Sequence, residues 1–262
     1  MNQLYIEQLG HGPDLVLLHG WGLHGGIWQG IKNELAEHFR LHIVDLPGYG
    51  LSSPLRESDT NINVHDIAKT LGKHLPENAI WLGWSFGGSI ATAAALQPKI
   101  AVRKLITVAS NPKFTATPTW TSAMKAEVLG NFAQQLERDY KSTIKRFLAI
   151  QSLGVRDQKK QVQTLQGWLL DKPEPDAQTL KRDLILLQET DLRASLDGVT
   201  IPHLLILGKS DALVPKSLAE TIVNLNPDIQ CEMFHSSSHA PFVSELKRFL
   251  ETVKQFAGLE AN

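Results

Sequence analysis

The 262-residue chain contains a single cysteine, Cys231, which excludes an internal disulfide and any multi-cysteine metal site. It also lacks an excess of either charge: 26 basic residues nearly cancel 27 acidic ones. No global field therefore favours nucleic acid or a membrane surface, and a charged partner would have to be read by a local patch. No apolar run approaches the ~18 residues a transmembrane helix needs, and residues 1–14 show no basic segment followed by an apolar one. A soluble cytoplasmic monomer is expected. Internal repeats and low-complexity segments are absent too, and with 42% hydrophobic residues the chain can bury a large core. Cys231, in a strand-like run, is expected inside that core.

Short apolar, β-branched runs recur at 15–18, 41–44, 79–82, 104–108, 203–207 and 229–234, with helical patterns between them. That spacing predicts an α/β fold: a mainly parallel central sheet with helices on both faces, plus an extra edge strand over 4–9. Helices are expected over 28–37, 64–75, 86–97, 216–224 and 242–256. The rhythm fails between about Pro112 and Thr190, where only amphipathic helical patterns occur, broken at Gly154 and at 172–175. This predicts a helical cap inserted at 112–190 between two parts of one core, 1–111 and 191–262. The cap would sit over the sheet's carboxyl edge, where open α/β sheets bind ligands.

Gly83-Trp84-Ser85-Phe86-Gly87 lies between a strand-like and a helical pattern, the setting of a nucleophile elbow. Such a turn strains the serine's backbone, and its glycines remove side chains that would collide as strand and helix close together. Ser85 then stands at a helix N-terminus, where free N–H groups favour a developing oxyanion. A serine hydroxyl needs a base, and the base needs a third group to fix its tautomer. The acid candidate is Asp211, just past the strand-like run 203–207; the base candidate is His239, in the small-residue loop after 229–234. The order Ser, Asp, His fits this kind of fold. His235 is the rival base, while Asp191 and Asp197 read as cap-exit or capping residues. The loop His19-Gly20-Trp21-Gly22 should supply the second oxyanion donor, the Trp21 N–H facing that of Phe86. His19 reads as a structural hydrogen-bonding residue, and the turn-rich segment 45–52 as scaffold. This chemistry calls for no cofactor and no metal.

His19-Gly20-Trp21-Gly22, Asp45-Leu46-Pro47-Gly48-Tyr49-Gly50, the elbow, Asp211-Ala212-Leu213-Val214-Pro215 and Ser238-His239-Ala240-Pro241-Phe242 together resemble the α/β-hydrolase superfamily over nearly the whole chain. More narrowly, residues 17–23, 79–85 and Arg146-Phe147-Leu148-Ala149-Ile150-Gln151 resemble the esterases of biotin synthesis that demethylate pimeloyl-acyl-carrier-protein methyl ester. That resemblance implies release of methanol and a free ω-carboxylate. It also implies substrate contacts at Trp21, Trp84, Ser85, Phe86, Phe147, Leu148, Ala149, Ile150, Gln151 and His239, with Trp84 and Phe147 walling an apolar channel. Core packing is the competing reading for those two aromatics. Phe86 stands where leucine is expected, which keeps the backbone role and narrows the pocket.

The implied partner is an acidic acyl-carrier protein, and the balanced total charge hides a patch suited to it. Arg138, Lys141, Lys145, Arg146, Arg156, Lys159 and Lys160 crowd one stretch of the cap with only Asp139 and Asp157 against them. Arg138, Lys141 and Lys145 are spaced to share a helix face. Arg146 and Lys159 fall where the family has cap arginines, whereas Ser142 and Gln163 depart from it. Rival readings are a short-chain carboxylesterase, a carbon–carbon bond hydrolase, or a non-catalytic receptor on the same fold. An aspartate at the elbow would be needed for a dehalogenase or epoxide hydrolase, and Ser85 argues against both.

Overall fold

A computed structural model describes residues 3–55, 62–136, 139–169 and 171–259. Among these residues seven strands form one sheet: β1 (Ile6–Leu9), β2 (Asp14–Leu18), β3 (Arg40–Val44), β4 (Ala79–Trp84), β5 (Val102–Val108), β6 (His203–Gly208) and β7 (Ile229–Phe234). Their spatial order is β1-β3-β2-β4-β5-β6-β7; β1 is antiparallel to β3 and every other pairing is parallel. β4 and β6 are buried at every position, as expected of strands covered on both faces, and their carboxyl ends deliver the elbow and the Asp211 loop.

The helices are α1 (Lys32–Ala36), α2 (Val64–Gly72), α3 (Phe86–Ala95), α4 (Ala126–Leu136), α5 (Tyr140–Gln151), α6 (Gln158–Trp168), α7 (Ala177–Glu189), α8 (Leu218–Leu225), α9 (Pro241–Ser244) and α10 (Leu246–Ala257). Four of them, α4 to α7, lie between β5 and β6, in the interval without strand-like runs. Two short patterns divide where one helix is expected. The stretch 28–37 holds α1 only over Lys32–Ala36, and its first residue, Trp28, closes a 3₁₀ turn (Gly25–Trp28). The stretch 242–256 breaks at Glu245, whose carboxylate accepts the Ser236 N–H and the Ser237 hydroxyl, each at 2.8 Å. Cys231 is only half-buried, because β7 is an edge strand. None of the helices among the described residues is long and apolar enough to cross a membrane.

α4–α7 are sewn to the core rather than resting on it. Trp21 Nε1 donates to the Leu180 carbonyl at 2.9 Å, and the Asp176 N–H donates to the Gly48 carbonyl at 3.0 Å. Lys172, in the α6–α7 connection, reaches both oxygens of the fully buried Asp45 at 3.0 and 2.9 Å; Asp45 also accepts the N–H groups of Gly25 and Leu51. Its ammonium lies 4.7 Å from the Tyr5 ring centre. A buried carboxylate with this many donors is compensated; removing Lys172 alone would leave it a charge short, which is strongly destabilising.

Candidate active site

Ser85 occupies the turn between β4 and α3 with φ 54° and ψ −119°, a conformation that costs a non-glycine residue about 1–3 kcal/mol. The surroundings impose it. The Ser85 N–H donates to the Val108 carbonyl at 2.8 Å, and its carbonyl accepts the Gly88 N–H at 2.9 Å. A Cβ on Gly83 would collide with the Gly87 backbone, and one on Gly87 would meet the His19 carbonyl at 2.5 Å. The two glycines therefore let strand, helix and the 19–22 loop converge. Phe86 opens α3, so its N–H has no helical acceptor. Gly20 packs so close that a Cβ there would lie 3.2 Å from the Ser85 Cβ, which brings the Trp21 loop directly beside the elbow.

His239 and Asp211 are joined by a 2.8 Å hydrogen bond between Nδ1 and Oδ2, both side chains fully buried. An ionised carboxylate only accepts, so Nδ1 carries the proton and Nε2 keeps its lone pair. Asp211 Oδ1 accepts the Leu213 and Val214 N–H groups at 2.8 and 3.0 Å, which fixes the carboxylate. The acid and histidine loops are tied by Ser210 N–H to the Ser237 carbonyl at 3.0 Å. Trp84, the residue before Ser85, donates its indole N–H to the His239 carbonyl at 2.7 Å and lies 5.6 Å from the imidazole. His239 Nε2 is buried and has no hydrogen-bond partner. The Ser–His bond of a reacting complex is thus not formed in this conformation, as is common before substrate binds. His235, the rival base, is exposed. Asp191 is occupied by Arg193 at 2.6 Å and Lys113 at 3.2 Å, far from the role of an orienting acid, and these partners hold its carboxyl well below the usual range.

His19 accepts the Leu46 N–H at Nε2 (2.9 Å) and donates from Nδ1 to the Gly20 carbonyl (2.8 Å), clamping the loop that carries Trp21. Burial pulls its pKa down to about 4, and does the same to His203. Asp183 of α7 goes the other way: burial raises it to about 6 against the opposing Arg182 guanidinium. Each histidine contributes stability fully present above its ordinary 6.5 and lost as pH falls toward 4. Asp183 contributes stability present below its ordinary 3.8 and lost as pH rises through 6. Two groups oppose one, so unfolding free energy should fall on acidification from pH 6.5 to 4.5. Asp183→Asn should make that fall steeper. Guanidinium titrations at the two pH values check both; an unchanged slope in the variant would remove Asp183 from the account.

The aromatics expected around substrate are buried. Trp21 and Phe147 meet edge to face at 5.4 Å, and Trp84 packs between Trp28, Phe242 and His239. Leu148 and Gln151 are buried, Ala149 and Ile150 partly so. The Gln151 carbonyl accepts the His239 N–H at 3.1 Å, so α5 touches the histidine loop directly. A cavity of about 340 Å³ lies between α5, the end of α6 and the core loop; Gly22, Ile144 and Leu148 line it, with Lys141 and Lys145 at its edge. Trp84, Phe147 and Gln151 do not line it. In this conformation Trp84 is a brace on His239 rather than the wall of an open channel.

The basic patch divides. α5 begins at Tyr140, capped by Asp139, and carries Lys141 and Lys145; Arg138, expected to share their face, lies outside the described residues. Lys145, Arg146, Arg156, Lys159 and Lys160 are exposed, as is Lys141, which pairs with Glu174 at 3.1 Å. Arg156 and Lys160 border a different cavity from Lys141 and Lys145. Three braces have no local signature in the sequence: Lys172 on Asp45, Trp84 on the His239 carbonyl, and Glu245 on the Ser236–Ser237 turn.

A family model for the alpha/beta hydrolase fold matches residues 13–246. The chain therefore belongs to the α/β-hydrolase family. Within it, the chain is 42% identical over 254 residues to the pimeloyl-[acyl-carrier protein] methyl ester esterase of Vibrio cholerae, covering 97% of this chain and 98% of that one. It is 41% identical over 258 residues to the protein of the same name from Yersinia pseudotuberculosis, covering 98% of each. Those names make this branch of the family one of carboxylic ester hydrolases. Among solved structures, an esterase from Exiguobacterium antarcticum superposes with a TM-score of 0.86 at 27% identity, covering 98% of this chain and 96% of that one.

Proposed function

We propose that the chain hydrolyses the methyl ester at the far end of a pimeloyl group carried on an acidic acyl-carrier protein, in the cytoplasm, as a step of biotin synthesis. Ser85 Oγ attacks the ester carbonyl while His239 Nε2 takes its proton. The N–H groups of Trp21 and Phe86 receive the oxyanion, and His239 returns the proton to the departing methanol. Water, activated by the same nitrogen, then releases the acyl group from Ser85. The observation that carries this reading is the buried Asp211–His239 pair, with Nε2 free and the His239 backbone carbonyl tied to Trp84, the residue before Ser85. The helices over the sheet's carboxyl edge act as the cap, for which 112–190 remains our boundary.

Support for the carrier comes from the relatives' names and from the exposed cations on α5 and α6. Lys145, Arg146 and Lys159 are exposed and have no ion pair among the described residues, and Lys145 borders the cavity that Gly22, the glycine after Trp21, helps to line. An acidic carrier docked there would aim its acyl chain at the oxyanion loop. Lysine cannot reproduce arginine's two-pronged grip, so the docking should be salt-sensitive. In the test, Arg146→Glu/Lys159→Glu is compared with wild type on the carrier-bound ester and on p-nitrophenyl acetate. On the carrier substrate kcat/KM should drop by on the order of 10- to 100-fold at low salt and less at high salt, the range of one or two lost charge contacts. Equal effects on the two substrates would sink the docking.

A further inference from the structure

A cavity of about 600 Å³ lies on the opposite side of α6 from Lys141 and Lys145, between that helix and the segment that follows His239. Its floor is aromatic and its rim cationic. Trp168 and Phe242 lie below; Arg156 and Lys160 stand at the edge with one acid, Asp157. Gln161, 6% exposed, also lines it, and its amide nitrogen is buried with no hydrogen-bond partner. An unpaired buried amide is costly, and native proteins keep few of them without a reason such as a ligand or ordered water.

The aromatic floor is built, not incidental. A Cβ on Gly30 would meet the Trp168 ring at 2.5 Å, so that glycine makes room for the indole against the core turn. Phe242 is anchored from behind by Trp28 at 4.8 Å and Trp84 at 5.1 Å. Apolar walls with a few convergent polar groups are the usual composition of a small-molecule site of this size. The arginine's planar fork suits a carboxylate, with the ammonium and the amide as further donors.

We propose that this cavity is a second binding site, separate from the Ser85 centre, for an unbranched medium-chain carboxylate. Its methylene chain lies on Trp168 and Phe242 and its head group meets Arg156, Lys160 and Gln161. The inference does not depend on the hydrolytic reading, since it concerns binding alone. The test is calorimetric titration of the full chain with octanoate, octan-1-ol and inorganic phosphate. Octanoate should bind saturably, and the other two, each carrying half the chemistry, at least about tenfold more weakly, the worth of one charge-assisted hydrogen bond. Arg156→Ala/Lys160→Ala and Gln161→Leu should each weaken octanoate by on the order of tenfold. Val243→Trp, which fills the cavity from its lining, should abolish binding, with circular dichroism confirming that each variant is folded. Lys141→Ala/Lys145→Ala should leave it within about twofold, since it removes the same charge elsewhere. The proposal is overturned if wild type does not bind octanoate, if phosphate binds as well as octanoate does, or if the Lys141/Lys145 pair matters as much as Arg156 and Lys160.

Discussion

Ser85→Ala should lower kcat on p-nitrophenyl acetate by on the order of 10⁴- to 10⁶-fold while the protein stays folded, because no other group near the elbow can replace the attacking oxygen. The strained turn will still form, since its hydrogen bonds come from the backbone of Val108 and Gly88 rather than from the hydroxyl. Relief from a side chain in an unfavourable backbone region does not follow, as alanine has the same Cβ. Thermal stability should therefore move little while activity collapses. His239→Ala should cost nearly as much, and the double variant little more than either, since residues acting as one unit are not additive. Stopped assays with purified variants settle it. Residual activity within tenfold of wild type in Ser85→Ala would mean that another nucleophile does the work.

Asp211→Asn should cost about 10⁴-fold in kcat, through the tautomer rather than the fold. The carboxylate oxygen facing His239 would become either an amide nitrogen or an amide oxygen. Asp211 Oδ1 accepts two backbone N–H groups, from Leu213 and Val214, so the amide will turn its oxygen toward them and its NH₂ toward His239. Nδ1 must then accept, the proton moves to Nε2, and the lone pair that should face Ser85 is lost. The loop stays tied by those two N–H groups, so Asp211→Asn should fold normally; Asp211→Ala would remove the tie as well and should cost stability in addition. His235→Ala, on an exposed side chain, should leave kcat within about twofold. If the His235 change matched Asp211→Asn in severity, the base would be misassigned.

The parts of this site that could be read from the sequence are those whose chemistry is written locally. Ser85 sits in a strand-turn-helix pattern spanning a few residues; Asp211 and His239 each follow a short apolar run. Alternation and glycine placement report such features because the backbone within one turn decides them. The sheet was legible for the same reason: β4, β6 and the second half of β5 are apolar runs between helical patterns. What could not be read are the braces that join distant segments. Lys172 finds Asp45 across 127 positions, and Trp84 finds the His239 carbonyl across 155. In sequence Lys172 is one residue of a break, and Asp45 the start of a turn. Only the packing of the α6–α7 connection on the core shows that they neutralise each other in a dry site. Glu245 illustrates a milder form of the problem. Its helical pattern is continuous, yet the carboxylate is drawn off to hold Ser236 and Ser237, and the helix breaks there. The basic patch shows the limit for surfaces: helical spacing groups charges by face, but which cavity each face borders depends on how α5 and α6 pack.

Cations on either side of α6 border two cavities, one by the oxyanion loop and one by the segment after His239, so carrier docking need not involve all of them. Intact-protein mass spectrometry of an acyl-carrier protein loaded with the pimeloyl methyl ester, before and after treatment with the purified chain, tests whether the chain removes that methyl group. The carrier should lose the mass of one methylene group, as methyl gives way to hydrogen, with one equivalent of methanol released and the thioester to the carrier intact. A carrier that keeps its methyl ester while p-nitrophenyl acetate is hydrolysed, or one stripped of its whole acyl group, would contradict it.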